Sequence, residues 1–362
     1  MLKIFLSIPG DLSDTNGTTI RTIAIANLLK ADFNIKLVTR ANSINNEVML
    51  SHKFNKDMII TIKPKGTKLW NFKLLNIILN NKIDCVICES DLFGFFSFIF
   101  LRPFFKYKII YEAHALAHKE ISQTSRIKGY LYKLMEIIIA EKSDAIVSLS
   151  LNTKAFFIKY NKNTFHIPVY IDFPTIKMAQ NEHAGKVIGL IGPFDTVSNR
   201  YQIEFLYKYL NCFDKKIRFL IIGKCNNRIV DSKVNYTGYL DSKEEYLNAL
   251  FDVDAILVPV CISTYGPKNK ILEAMSLGKP VFTTPEGVVG LDYAKPNKDI
   301  IVEAEDNLIN NINFNLLHNY EYIKNIGIFG KHLVNKYYIK RIYLNQYKKI
   351  ILSVINKKNI DE

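Results

Sequence analysis

Cysteine is scarce in this chain: five among 362 residues, an odd number with no framework spacing. That excludes a small secreted domain stapled by disulfides and points to a reducing compartment. Cys85 and Cys88 form a C-x-x-C, but inside the apolar run DCVIC, and no second cysteine or histidine pair follows at metal-ligand spacing. A buried strand is expected there, not a zinc or redox site. Long apolar runs are missing as well. The longest, LFGFFSFIFL at 92–101, falls short of the ~20 residues of a membrane span and reads as a core helix. The alternative is a surface helix that dips its phenylalanines into a bilayer. MLKIFLSI, before Pro9-Gly10, is too short for a secretory apolar region and reads as a first strand. Nor is there a concentrated basic module. The net charge is +14 and the pI about 9.3, yet 20 basic residues face 13 acidic ones up to residue 150, and 28 face 21 beyond it. That argues against nucleic acid as the partner.

What is present is a repeating alternation of short apolar runs and amphipathic stretches. A length of 362 residues suits two domains, and 48% hydrophobic residues can fill two cores. Strands are expected at 3–8, 35–39, 58–62, 84–88, 107–111 and 144–149, with helices between them, for example at 18–30, 70–80 and 124–141. Residues 171–185, with a proline and polar clusters, break the rhythm and read as a linker. The alternation restarts at 186–192, 218–223, 234–238, 254–260, 279–284 and 299–303. The expected fold is α/β: two Rossmann-like, doubly wound parallel-sheet domains, residues 1–170 and 186–317, with ligands bound in a cleft at the carboxyl ends of the strands.

The segment 264–291, TYGPKNKILEAMSLGKPVFTTPEGVVGL, carries the most chemistry. A helix opens near Lys268, Asn269 and Lys270, where free backbone N–H groups and the macrodipole add to the lysine charges. A diphosphate suits that place. Glu273, deeper in the helix, is placed to accept hydrogen bonds from a ribose diol. Taken by themselves, these residues also fit an ordinary helix–strand unit with solvated lysines.

The order Gly266, Lys268, Lys270, Leu272, Glu273, Ala274, Met275, Gly278, Pro280, Val281, Thr284, Gly287, Gly290 resembles the donor-binding signature of retaining GT-B glycosyltransferases of the family 4, or group 1, type. Many members carry a second glutamate where this chain has Tyr265. The resemblance implies donor contacts from Tyr265, Gly266, Lys268, Asn269, Lys270 and Glu273. It also implies that the helical region 318–362 crosses back to the first domain.

The family's glycine-rich loop after the first strand is matched by Asn16-Gly17-Thr18-Thr19, with Arg21 one turn further on. Its acid-x-histidine motif is matched by Glu112-Ala113-His114. The resemblance gives Gly17, Thr18, Arg21 and Glu112 to the acceptor and phosphate side, and His114 to catalysis. In the second half Gly192 closes a strand, and Pro193 replaces the arginine that many members have there. Asn199 and Arg200 occupy the region of a family lysine, so phosphate neutralisation falls to Arg200, Lys270 and Lys268. Gly238 and Tyr239 stand beside the nucleotide base.

Departure of a nucleoside diphosphate leaves negative charge that cationic side chains and a helix N-terminus can stabilise electrostatically. The resemblance implies transfer of a sugar from a nucleotide sugar to a glycan or lipid-linked acceptor, with retention of configuration, no metal and no cofactor. The expected setting is bacterial surface polysaccharide synthesis, of capsule or lipopolysaccharide type. A nucleotide-sugar 2-epimerase and a non-catalytic nucleotide-sugar-binding partner are the other readings. Hydrolysis is disfavoured because no second carboxylate is evident across the cleft. Residues 331–358 hold eight Lys or Arg and no acid, with Tyr343, Tyr347, Ile350, Ile351 and Val354 on one helical face. Packing onto the core is expected of the apolar face. Its charges are expected to favour an anionic membrane surface, as a cytoplasmic protein on the inner face of the membrane.

Overall fold

The computed structural model describes residues 1–10, 12, 17–39, 54–62, 72–171, 186–194, 197–263 and 265–356. The expected linker lies outside these except for Ile171, as do Asn16 and the last residues of the basic tail. The chain divides into two compact units. Unit 1 comprises Met1–Val169, Thr264–Pro267 and Arg341–Glu362; unit 2 comprises Tyr170–Ser263 and Lys268–Lys340.

Unit 1 is built on seven strands: β1 (Lys3–Ser7), β2 (Asn34–Thr39), β3 (Ile59–Thr61), β4 (Cys85–Glu89), β5 (Lys108–Ala113), β6 (Ala145–Ser148) and β7 (Thr164–His166). Their order is β3-β2-β1-β4-β5-β6-β7, all parallel. Strands buried on both faces need apolar side chains throughout, which is why β4 and β6 are buried at every residue. Cys85 and Cys88 are part of that buried strand, and burial pushes the Cys85 thiol well up.

Helix α1 (Gly17–Leu29) joins β1 to β2 and runs one way along the sheet. The helices α2 (Phe72–Leu79), α3 (Leu92–Phe105), α4 (Ala117–Ile121), α5 (Arg126–Lys142) and α6 (Leu151–Phe157) serve the connections that run the other way. Because parallel crossovers are right-handed, α1 covers one face and α2, α3, α5 and α6 cover the other. One core cluster confirms this, joining Leu74 and Ile78 to Phe95, Phe98 and Leu101, and these to Ile139, Ala140 and Phe157. No described helix is long and apolar enough to cross a membrane.

Unit 2 has six parallel strands: β8 (Lys186–Ile191), β9 (Ile217–Ile222), β10 (Val234–Gly238), β11 (Ala255–Val258), β12 (Val281–Thr283) and β13 (Ile301–Val302). Their order is β10-β9-β8-β11-β12-β13. The helices are α7 (Val197–Tyr209), α8 (Lys243–Phe251), α9 (Asn269–Ser276), α10 (Pro285–Val288), α11 (Glu305–His318) and α12 (Tyr320–Tyr337). The last helix, α13 (Lys340–Asn356), falls almost wholly in unit 1. Its Tyr343, Tyr347, Ile350 and Ile351 are buried, and Lys348 pairs with Asp32 at 2.5 Å.

Helix α9 ends at Gly278, whose positive φ of 79° reverses the chain into β12. The long α12 crosses that turn closely. A Cβ on Gly327 would lie 2.3 Å from the Gly278 carbonyl oxygen and 2.9 Å from Pro280 N. Backbone atoms cannot step aside as a side chain can. Gly327→Ala is therefore expected to cost about 2 kcal/mol, read as a lower thermal midpoint by circular dichroism. An unchanged midpoint would mean that the helix crossing opens freely.

Candidate functional site

In unit 2 the strand order reverses between β8 and β11, because β8 leads to β9 on one side and β11 to β12 on the other. Outside the carboxyl ends of strands at such a reversal is where parallel sheets hold ligands. Helices α7 and α9 both begin here. Lys270, in the first turn of α9, donates to the Ile191 carbonyl at the end of β8 (2.6 Å) and to Asn199 Oδ1 on α7 (2.7 Å). Asn199 Nδ2 in turn donates to the Pro193 carbonyl (2.7 Å), after a cis Gly192-Pro193 bond. Burial disfavours the ammonium and brings the Lys270 pKa down to about 7; Glu273 opposes this and Lys268 adds to it. No side chain caps the start of α9, where Lys268 holds the N-cap position. One turn further, Glu273 accepts from Tyr246 Oη at 2.7 Å, and burial raises its pKa against that bond.

The structure therefore brings Lys270, Asn199 and the end of β8 together, with Asn269 and Lys268 at the head of the same helix and Glu273 one turn on. Arg200, next to Asn199 in the chain, is exposed and lines a groove of about 590 Å³ with Arg228, Glu204 and Tyr207. Gly238 ends β10 with a φ of 75°, followed by the largely exposed Tyr239.

Asp252-Val253-Asp254 is an Asp-x-Asp triplet of the kind metal-dependent sugar transferases use. It stands at the opposite, amino ends of the strands. Asp254 accepts from Val187 N at 2.9 Å and faces Lys186 at 3.5 Å, so it ties β11 to β8.

Unit 1 repeats the arrangement. Its strand order reverses between β1 and β4. Register pairs Glu89, the last residue of β4, with Glu112 of β5, so two buried carboxylates lie side by side. Arg21 from α1 reaches Glu112 (Nε to Oε1, 2.9 Å) and Tyr347 Oη (3.4 Å). His114 Nε2 lies 3.2 Å from Glu89 Oε2 and 3.4 Å from Glu112 Oε1. Burial alone would raise Glu112, but Arg21 and His114 hold it below its ordinary value. Burial and the neighbouring Glu112 push Glu89 up to about 7. Burial works against the imidazolium of His114, yet hydrogen bonds to Glu112 and Glu89 carry its pKa up to about 9.

Glu89, Glu112 and His114 gather three potential ligand atoms within 4.8 Å. Arg21 brings a positive charge into the cluster, while Glu89 Oε1 and Glu112 Oε2 are buried without a hydrogen-bond partner among the described residues. Gly17 and Thr18 begin α1 one turn before Arg21.

Tyr265 and Gly266 are grouped with unit 1. The Tyr265 carbonyl accepts from Ser150 Oγ (2.6 Å), its φ is 66°, and Lys119 lies 5.3 Å over its ring. A Cβ on Gly266 would sit 2.7 Å from the His114 carbonyl oxygen, so only glycine fits.

Sequence reasoning missed Glu89, Tyr246 and Gln202, the last of which donates to the Ile191 carbonyl at 3.4 Å. Glu89 had a signal: an acid closing the apolar run DCVIC must lie at a strand's carboxyl end. Tyr246 and Gln202 had none, being single polar residues on amphipathic helices.

The His114 pKa of about 9 lies above its free value of 6.5. Its contribution to stability is thus complete below about pH 6.5 and is lost as pH rises through about 9. Glu89→Gln removes one of the two carboxylates, and the His114 ring titration followed by NMR is expected to fall by about one unit or more. An unmoved titration would leave Glu112 alone responsible.

Residues 185–316 match the family model described as Glycosyl transferases group 1. No curated protein sequence matches the chain. Among solved structures, HepE of Anabaena in complex with UDP-glucose superposes with a TM-score of 0.76 at 13% identity, over 98% of this chain and 100% of that one. Sucrose-phosphate synthase of Thermosynechococcus elongatus gives 0.76 at 16% identity, over 99% and 100%. The lipopolysaccharide outer core galactosyltransferase WaaB in its apo form gives 0.67 at 15%, over 98% and 99%. Identities this low speak to fold alone. Residues 185–316 of this chain thus carry the group 1 glycosyl transferase pattern, within the two-sheet α/β fold of the GT-B glycosyltransferases.

Proposed function

We propose that the protein transfers a sugar from a nucleoside-diphosphate sugar to a glycan or lipid-linked acceptor, with retention of configuration and without a metal. One observation carries this reading: Lys270 and Glu273 stand on the opening turns of α9, at the strand-order reversal of unit 2. Lys270 now spends its protons on a carbonyl and an amide oxygen. A diphosphate, being charged, is a stronger acceptor than either and would restore the ammonium that burial disfavours. Tyr246 holds one oxygen of Glu273, leaving the other for a ribose diol.

In the transfer, the bond between the anomeric carbon and the diphosphate oxygen breaks while the acceptor oxygen bonds to that carbon. The acceptor proton passes to the departing diphosphate. Lys270, Lys268 and the helix N-terminus stabilise the charge that develops there. Arg200, exposed on α7, supplies further positive charge. In unit 1, His114 and Glu112 serve the acceptor side, held in place by Arg21 and Glu89.

The UDP-glucose of HepE makes UDP-sugars the first donors to try, and WaaB is a precedent for a surface glycan as product. The proposed setting is bacterial surface polysaccharide synthesis at the cytoplasmic face of the membrane. The apolar face of the basic C-terminal helix is packed inside unit 1, so only its charges are left to attract an anionic surface. A second reading, binding without transfer, is favoured by Tyr265. It occupies the place where many family members carry an acid, and its carbonyl is held by Ser150.

Calorimetry and thermal shift with UDP-, GDP-, ADP-, CMP- and dTDP-sugars test the proposal. One nucleotide class is expected to bind, and Glu273→Ala and Lys270→Ala should both weaken it. Lys270→Ala is further expected to slow turnover by about a hundredfold or more. Binding by the wild type without turnover would favour the second reading; no binding at all would sink the donor site. With free Lys270 near pKa 7, nucleotide binding above about pH 7 must take up a proton. Affinity should therefore decline as pH rises from there, and the heat of binding should depend on the buffer's ionisation enthalpy.

A further inference from the structure

Helix α5 is inside out by the usual rule. Its inward-facing residues include Gly129, Glu136, Ile139 and Ala140. Outward, Ile127, Tyr130, Leu131, Leu134 and Ile138 are 77, 61, 53, 39 and 42% exposed. Spacings of three and four residues place them on one stripe of the helix. The neighbouring α3 adds Phe100 and Phe104, one turn apart, at 48 and 75%. Both helices lie on the same face of the unit 1 sheet, where their inner residues share one core. Soluble monomers seldom leave such a large apolar area uncovered.

The charges around the stripe say what covers it. Arg126 and Lys133 flank it on one side and Lys128 and Lys142 on the other, all exposed, while Glu141 is the one exposed acid on the helix. Lys133 also lines a cavity of about 380 Å³ together with Lys119, Lys159 and Tyr160. Large apolar side chains bordered by cations fit a surface that is apolar within and anionic at its rim. We propose that the outer face of α3 and α5 is a docking surface for an anionic phospholipid bilayer. The isoleucine, leucine and phenylalanine side chains enter between the headgroups, and the lysines and arginine pair with lipid phosphates.

The basic C-terminal helix does not belong to this surface. Arg21 with Tyr347, and Asp32 with Lys348, place α13 beside α1, on the opposite face of the sheet. The inference stands apart from the sugar-transfer reading, and its test needs no substrate.

Vesicle flotation of the full chain, with phosphatidylglycerol–phosphatidylcholine or phosphatidylcholine alone, decides the matter. The wild type should float with the anionic vesicles and far less with the neutral ones. The double variant Ile127→Asp, Leu131→Asp should lose binding by about tenfold or more, with its far-UV spectrum and thermal midpoint unchanged. Lys128→Gln with Lys133→Gln should lower binding to anionic vesicles only. Lys348→Gln with Lys349→Gln, on α13 at the opposite face of the unit 1 sheet, should lower it far less. Failure of the wild type to float, or an equal loss from the tail substitutions, would overturn the proposal. So would a wild-type dimer in solution that the Ile127→Asp, Leu131→Asp variant converts to monomer, since the stripe would then be a contact between two copies.

Discussion

A parallel sheet with helices on both faces has no room for polar side chains except beyond the ends of its strands. Strands such as β4 and β6 are buried at every residue, and polar side chains gather at their ends, as Glu89 does at the end of β4. Ligand chemistry is thereby confined to the carboxyl ends, and most sharply to the point where the strand order reverses. Both units of this chain obey the constraint. Arg21, Glu89, Glu112 and His114 cluster at one reversal; Lys270, Asn199 and the opening of α9 meet at the other. Asp252-Val253-Asp254, at the amino ends, is structural for the same reason.

The two clusters handle buried charge in opposite ways. In unit 1, Arg21 neutralises Glu112 and His114 bridges the two carboxylates, so the charges are matched within the protein. A matched buried network is rigid, and removing one member leaves the others uncompensated. In unit 2, Lys270 has only neutral acceptors against its ammonium. Its charge is offset only in part, by Glu273, until something more strongly anionic arrives. The first arrangement suits positioning, the second binding.

Much of this architecture was legible in the residues because buried parallel strands are almost pure Val, Ile, Leu and Phe, with loops marking their ends. VNYTG was read to the residue, and most other strands within two. The strand β7, Thr164–His166, was not expected: three residues reading Thr-Phe-His carry no periodicity, and only pairing with β6 makes them a strand. The helix α9 was legible because lysines and an acid stand at helical spacing there, between a Gly-Pro and a Gly. The partners were not, because the Tyr246 to Glu273 and Lys270 to Asn199 contacts join residues 27 and 71 positions apart. Exposure was equally hidden. The run at 92–101 reads as apolar throughout, yet Phe95 and Phe98 are buried while Phe100 is not.

The path of the chain between the units is a matter of timing as well as space. Unit 1 is made of three stretches, the last beginning at Arg341. Tyr347, which receives Arg21, and Lys348, which pairs with Asp32, therefore leave the ribosome only after unit 2 has done so. Domains ordinarily fold as units, the N-terminal one first, during synthesis. Here the first sheet can form early, but the partners that close α1 onto it arrive only after all of unit 2 has been made. The nascent N-terminal half must wait, incomplete, for a partner 326 residues downstream of Arg21.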